Sequence, residues 1–331
     1  MLSNALTSAT SPLHLLGNFD DPFAGAEREL PDLALRMQSR RACQLWATGR
    51  VHPAFAGLSK LPIRPVSAFG GAFPRGGMLL IGGVHVPLGV WLAHGKFERI
   101  ALRYNITDNG RLFDYVQQIR QQCGINPELL FVSEMQKLSV GLPGLVEPSL
   151  IILDDYLAIQ REPQRTFTVG RVSRDVPGKH HADDPALYRM LAAYGYQVRV
   201  MGAMCLQAQV GQELGVTLLP VGAEKVSDFY RGLDAMVYRT GAQIESYGRV
   251  VFEAMASALP VVVEARHGCA QYIVDGKEGF LVRSQEEALD CLRFLATHEQ
   301  ERLSMGQAAR QKAVELHGEQ VLDHWLAFYL D

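Results

Sequence analysis

The sequence predicts an α/β protein made of two Rossmann-like, doubly wound domains, and three observations carry that prediction. Short apolar, β-branched runs alternate with helical patterns from end to end, as strand–helix–strand units do. The alternation breaks at the polar, proline-bearing stretch Tyr156 to Arg165 and then begins again. A chain of 331 residues is also too long for one ordinary core. The expected division is 1–158, 159–316 and a last helical segment, 317–331. Two such domains make a deep interdomain cleft, and ligands of doubly wound sheets sit beyond the carboxyl ends of the strands.

In the first half, strands are expected at 13–19, 42–49, 63–69, 78–84, 99–105, 129–135 and 149–155. A helix is expected over 24–40, with Pro31 as a candidate kink, and another over 111–124, stopped by Gly124. After the break, strands follow at 166–172, 197–203, 216–222, 235–240 and 260–265. Helices fall at about 184–194, 224–232, 248–258, 285–297 and 299–316. The last stretch, GEQVLDHWLAFYL, is an amphipathic helix whose Trp325, Phe328 and Tyr329 need a surface to cover.

Bulk properties exclude several classes. A net charge of −3 offers no basic excess to displace counterions, which argues against a dedicated nucleic-acid binder. The five cysteines, at positions 43, 123, 205, 269 and 291, are scattered and read as reduced thiols, with no metal site or disulfide framework. The first sixteen residues lack the basic and apolar regions of a signal peptide. Met78 to Ala93 is apolar but shorter than the ~20 residues of a membrane span, and reads as strand, turn and helix start. The reading is a cytoplasmic chain, with peripheral membrane contact left open.

Two segments carry chemistry. In TFTVGRVSRDVPGKHHADDP a strand ends at Gly170-Arg171, Arg174 and Lys179 follow, and a helix begins near Asp183. Arginine and lysine beyond a strand end suit a diphosphate, although such residues are more often merely solvated. In ESYGRVVFEAMASALPVVV a helix begins near Tyr247-Gly248, where free N–H groups and the dipole favour an anion. Gly248 permits close approach, and Glu245 precedes the helix. Glu253 lies roughly 9 Å along from Tyr247, about the span from a sugar to a ribose. Its neighbours are apolar, where a carboxylate is costly unless paired.

These residues, with HGCAQYIVDGKEGFLV downstream, resemble the carboxyl-terminal domain of retaining glycosyltransferases with the GT-B fold, and more narrowly family 4, whose pattern is E-x7-E followed by EAMA-x-G-x-P-V-V. The likeness covers about 166–283; FAGAERELPDLALRM is more loosely similar to the family's first loop and helix. The resemblance implies transfer of a hexose from a nucleoside diphosphate sugar, uridine before guanosine, with retention, no metal and no cofactor. Arg171 and Lys179 would hold the diphosphate, and Arg174 is the alternative because their spacing is longer than usual. Glu245 would bind the transferred sugar, the backbone of Ser246, Tyr247 and Gly248 the sugar and phosphate, Glu253 the ribose, and Val221 would border the base. Gly25 would approach the phosphates from the other domain, which would serve the acceptor, and the last helix would return to that domain.

The chain departs from the pattern at Ala24-Gly25, where two glycines are common, and at Ala258, where glycine is. RHGCAQYIV replaces a Gly-Gly turn. For the histidine the family places near the reacting sugar, Asn105 is the positional match and His85 the other candidate. The implied acceptor is a saccharide or lipid-linked saccharide, the latter at the inner membrane face. Arg36, Arg40, Arg41 and Arg50 read first as a solvated basic face and second as a lipid contact. The competing readings are an inactive glycosyltransferase-like scaffold subunit and, behind it, a GT-B epimerase or phosphorylase.

Overall fold

The computed structural model describes residues 11–67, 69–107, 110–159 and 166–330. It forms two units. The first comprises Met1–Val132, Val140–Leu150 and Leu322–Asp331, and the second Ser133–Ser139 and Ile151–Val321. Apart from the short excursion Ser133–Ser139, the chain therefore changes unit at Leu150–Ile151 and again at Val321–Leu322. The last six residues of the expected linker, 160–165, lie outside the described residues, as do the first ten of the amino-terminal stretch.

The first unit holds a seven-stranded parallel sheet: β1 (Leu13–Gly17), β2 (Cys43–Ala47), β3 (Ile63–Pro65), β4 (Met78–Ile81), β5 (Arg99–Tyr104), β6 (Glu128–Phe131) and β7 (Leu145–Val146). Their order is β3-β2-β1-β4-β5-β6-β7. Central strands such as β1 and β4 are buried throughout and, His14 apart, apolar, as a sheet covered on both faces requires. Helix α1 (Gly25–Met37) runs unbroken through Pro31 and buries Leu30, Leu33, Ala34 and Met37. Helix α2 (Gly110–Cys123) stops where Gly124 turns left-handed, at φ 70°.

The second unit repeats the plan with β8 (Thr168–Val172), β9 (Gln197–Met201), β10 (Val216–Leu219), β11 (Ala235–Tyr238), β12 (Val261–Glu264) and β13 (Gly279–Val282), in the order β10-β9-β8-β11-β12-β13. Its helices include α3 (Asp184–Ala193), α4 (Arg249–Ala256), α5 (Gln285–Thr297) and α6 (Glu299–His317). The core joins Val169, Val198, Val200, Val237 and Val262 of the sheet to Leu187, Leu191 and Leu292 of the helices. Helix α7 (Glu319–Ala327) follows, and Leu322, Leu326 and Tyr329 pack in the core of the first unit with Leu15, Leu33 and Leu80. Among the described residues no helix is long and apolar enough to cross a membrane.

Some expected elements differ. SLIILDD is not a strand. The Leu150 N–H is donated to the Glu29 carboxylate at 3.2 Å, and a short helix starts at Asp154. The run is apolar because Leu150, Ile151 and Leu153 are buried, not because it joins a sheet. The expected strand at 129–135 ends at Phe131 and a helix begins at Glu134. Strands β7 and β13 were not among the expected elements.

In each sheet the strand order reverses beside the first strand, between β1 and β4 and between β8 and β11. Such reversal points open a crevice at the strand carboxyl ends. The loops leaving β8 and β11 carry Lys179 and Glu245.

Candidate active site

In the second unit those two loops meet. The Lys179 ammonium pairs with the Glu245 carboxylate, and both side chains are mostly covered. Burial, then the charges of Arg174 and Arg171, push Lys179 down to about 7, while contact with Glu245 opposes that shift. Arg174 is exposed on the same loop.

Arg171 takes a different place from the one expected of a diphosphate ligand. It is fully buried, with its guanidinium over the Tyr238 ring at 4.7 Å. It bonds the Asp184 carboxylate at 3.2 Å and donates to the carbonyl oxygens of Lys179 and Arg239. It therefore supports Lys179 from behind. Arg239, which the sequence reading passed over, is also buried and lies 3.4 Å from Asp184. Two guanidinium groups share one buried carboxylate, so a positive surplus underlies the Lys179 loop, a setting that favours an anion.

Beyond Glu245 the chain enters α4. Gly248 stands at its start with φ 81° and ψ 58°, a left-handed conformation that glycine adopts without penalty. The Tyr247 ring turns inward, stacked on Phe252 at 4.6 Å with its hydroxyl 2.9 Å from His317 Nε2. Ser246 is buried, and Glu253 is 3% exposed on α4, so its carboxylate lies away from solvent. Val221 lies partly exposed in the turn after β10, next to Gly222 at φ 73°.

The first unit gathers a second set of candidates at its own strand ends. Gly25 is the first residue of α1. His85 and Asn105 flank the same glycine: a Cβ added to Gly83 would lie 2.6 Å from the His85 ring and 3.4 Å from Asn105 Oδ1. Asn105 donates to the Gly82 carbonyl at 3.3 Å. Glu27, another residue the sequence reading missed, lies buried in the first turn of α1, 4.0 Å from His85 Nε2. Burial, reinforced by Asp20 and Asp21, pushes its carboxyl up to about 7, against a hydrogen bond from the Asp21 N–H. The signal available in sequence was an acid two residues past a candidate glycine, on a helix face otherwise apolar.

Comparison with known proteins defines the class first: two parallel-sheet Rossmann-like units of the GT-B fold. The chain superposes on Anabaena HepE in complex with UDP-glucose with a TM-score of 0.73 over 97% of this chain and 99% of that one, at 16% identity. Residues 195–312 match the family model for glycosyl transferases group 1, a span that holds Glu245, Gly248 and Glu253. The trehalose synthase of Pyrococcus horikoshii is 29% identical over 185 residues, 49% of this chain and 44% of that protein. The D-inositol 3-phosphate glycosyltransferase of Geodermatophilus obscurus is 34% identical over 162 residues, 45% of this chain and 34% of that protein. The chain thus aligns with less than half the length of these curated relatives.

Proposed function

We propose that this protein is a retaining glycosyltransferase that moves a hexose from a nucleoside diphosphate sugar to a saccharide or lipid-linked saccharide. One observation carries the reading: Lys179 and Glu245, from the loops after β8 and β11, meet just before the start of α4, over two buried arginines that share one carboxylate. Lys179 and Arg174 neutralise the diphosphate, and Arg171 holds Lys179 by its carbonyl. The amides at the start of α4 add their dipole, so leaving-group charge is stabilised by the protein's own groups without a metal. Glu245 accepts hydrogen bonds from the transferred sugar, Glu253 from the ribose, and Val221 borders the base. Gly25 serves the donor phosphates, and Asn105, with His85 as the other candidate, serves the reacting sugar. The UDP sugar bound by HepE and the group 1 match support a nucleotide-sugar donor, uridine before guanosine. A lipid-linked acceptor would bring the enzyme to the inner membrane face.

The test is a calorimetric and thermal-shift screen of uridine, guanosine and adenosine diphosphates and their sugars. It compares wild type with Lys179→Ala and Glu253→Ala. A donor at 100-fold its Kd stabilises the native state by ~2.7 kcal/mol. Stabilisation by one base class, lost in both variants, supports the assignment. No response to any nucleotide overturns it in favour of a non-catalytic subunit.

A further inference from the structure

The main chain of Glu245 is held at both its polar groups by two consecutive residues. Its N–H points to His267 Nδ1 at 3.4 Å, and its carbonyl accepts the Gly268 N–H at 2.8 Å. His267 is 2% exposed. Its other nitrogen, Nε2, lies 3.3 Å from Glu264 Oε2 and 3.3 Å from Thr240 Oγ1. Since Nδ1 accepts from an amide, the proton of the neutral ring is on Nε2, where both oxygens can receive it. The groups facing the ring are Glu264, Arg266, Arg171 and Lys179. Burial, with the three cations behind it, pushes His267 down to about 4 against the opposing pull of Glu264, so the ring stays neutral and Nδ1 stays an acceptor. Arg266 closes the frame by pairing with Glu264 at 3.0 Å and donating to the Thr240 and Gly241 carbonyls. The next position admits glycine alone: a Cβ on Gly268 would lie 1.8 Å from the Ser246 carbonyl oxygen.

We infer that His267 and Gly268 form a two-point clamp on the Glu245–Ser246 main chain, and that His267 is the positioning residue that sets the Glu245 carboxylate for the donor sugar. The inference rests on the reading of Glu245 as the sugar-binding carboxylate. A carboxylate displaced by 1 Å loses hydroxyl contacts while the diphosphate contacts of Lys179 and Arg174 survive. The clamp therefore governs how much the sugar adds to donor binding, not how tightly the nucleotide binds.

The experiment measures Kd for UDP, UDP-glucose and UDP-N-acetylglucosamine on the full chain, together with hydrogen exchange at the Glu245 amide. Wild type, Glu245→Gln, His267→Ala and His267→Asn are compared; the asparagine keeps an acceptor near the Nδ1 position. In His267→Ala the affinity added by the sugar is expected to fall about tenfold, UDP affinity to stay within about twofold, and the Glu245 amide to exchange about tenfold faster. His267→Asn restores most of each loss. Equal losses for UDP and for the sugars, or unchanged amide exchange in His267→Ala, overturn the clamp. If the sugar adds no affinity in wild type, or Glu245→Gln leaves the added affinity intact, the reading of Glu245 fails, and the positioning role with it. If Glu245→Gln abolishes the added affinity and His267→Ala preserves it, the clamp alone is overturned.

Discussion

Lowering the pH from 7 to 5 should destabilise the second unit through one buried ring at the end of α6. His317 is 3% exposed, bonded to the Tyr247 hydroxyl at 2.9 Å and packed edge-on against Phe252 at 5.4 Å. Burial, followed by the charge of Arg249, pushes it down to about 3 from an ordinary value of 6.5. The unfolded chain therefore takes up a proton near 6.5 that the folded chain refuses until about 3. This contribution to stability is complete above 6.5 and is lost as the pH falls through that window. At about 1.4 kcal/mol per pH unit, the fall to pH 5 removes roughly 2 kcal/mol. In a unit of this size that corresponds to about 4–8 °C in Tm. His180 and His267, also pushed down to about 4, share the sign, so the diagnostic quantity is a difference between variants. Differential scanning calorimetry of wild type and His317→Gln at pH 7 and pH 5 gives it. The glutamine variant should lose several degrees less on acidification, even if it starts lower. Equal acid-induced shifts in the two proteins would refute the argument.

Three further outcomes follow from the geometry. Lys179→Met should weaken UDP binding by about 2 kcal/mol or more, the range of a lost charge-assisted contact, and flatten its decline between pH 6 and 8, read by titration calorimetry. Gly248→Ala and Gly268→Ala should separate backbone strain from collision in chemical denaturation. The Gly248 methyl has room, 3.4 Å from Cys269 Sγ, so only the left-handed backbone is penalised, by about 1–2 kcal/mol, whereas the Gly268 methyl meets a carbonyl oxygen and the variant should lose its native loop. Arg103→Met should cost the first unit about 3–5 kcal/mol in urea unfolding, because it strands Glu29 and Glu147, two buried carboxylates that Arg103 now pairs.

The parallel sheets were legible because a strand buried on both faces is a continuous apolar run, as in VVV of β12 and MLLI of β4. The same property misled at SLIILDD, where the apolar residues are buried in chain that joins no sheet. The two-residue β7 is too short for any periodicity to register. At the candidate site, residues whose type announces chemistry on a loop, Lys179 and Glu245, were found and lie in contact. Arg171 was found for the right charge, but nothing in a sequence tells a guanidinium facing solvent from one turned under the loop. Glu27, Arg239 and His267 went unnoticed because their importance lies in partners distant along the chain. Arg239 shares Asp184 with Arg171, and His267 reaches Glu245 from the far side of β12.

Synthesis from the amino terminus gives the discontinuous first unit an unusual schedule. Its seven strands emerge early, yet its core includes Leu322, Leu326 and Tyr329, and the buried Arg103 and Glu147 each bond the Tyr329 hydroxyl. The second unit is complete in sequence once Val321 has emerged. The half whose strands are made first is thus completed after the second unit, its ionic core waiting for the Tyr329 hydroxyl. During that interval the first unit lacks the cover of Leu322, Leu326 and Tyr329, and a ribosome-bound chain halted at Val321 should present a folded second unit and an unfinished first.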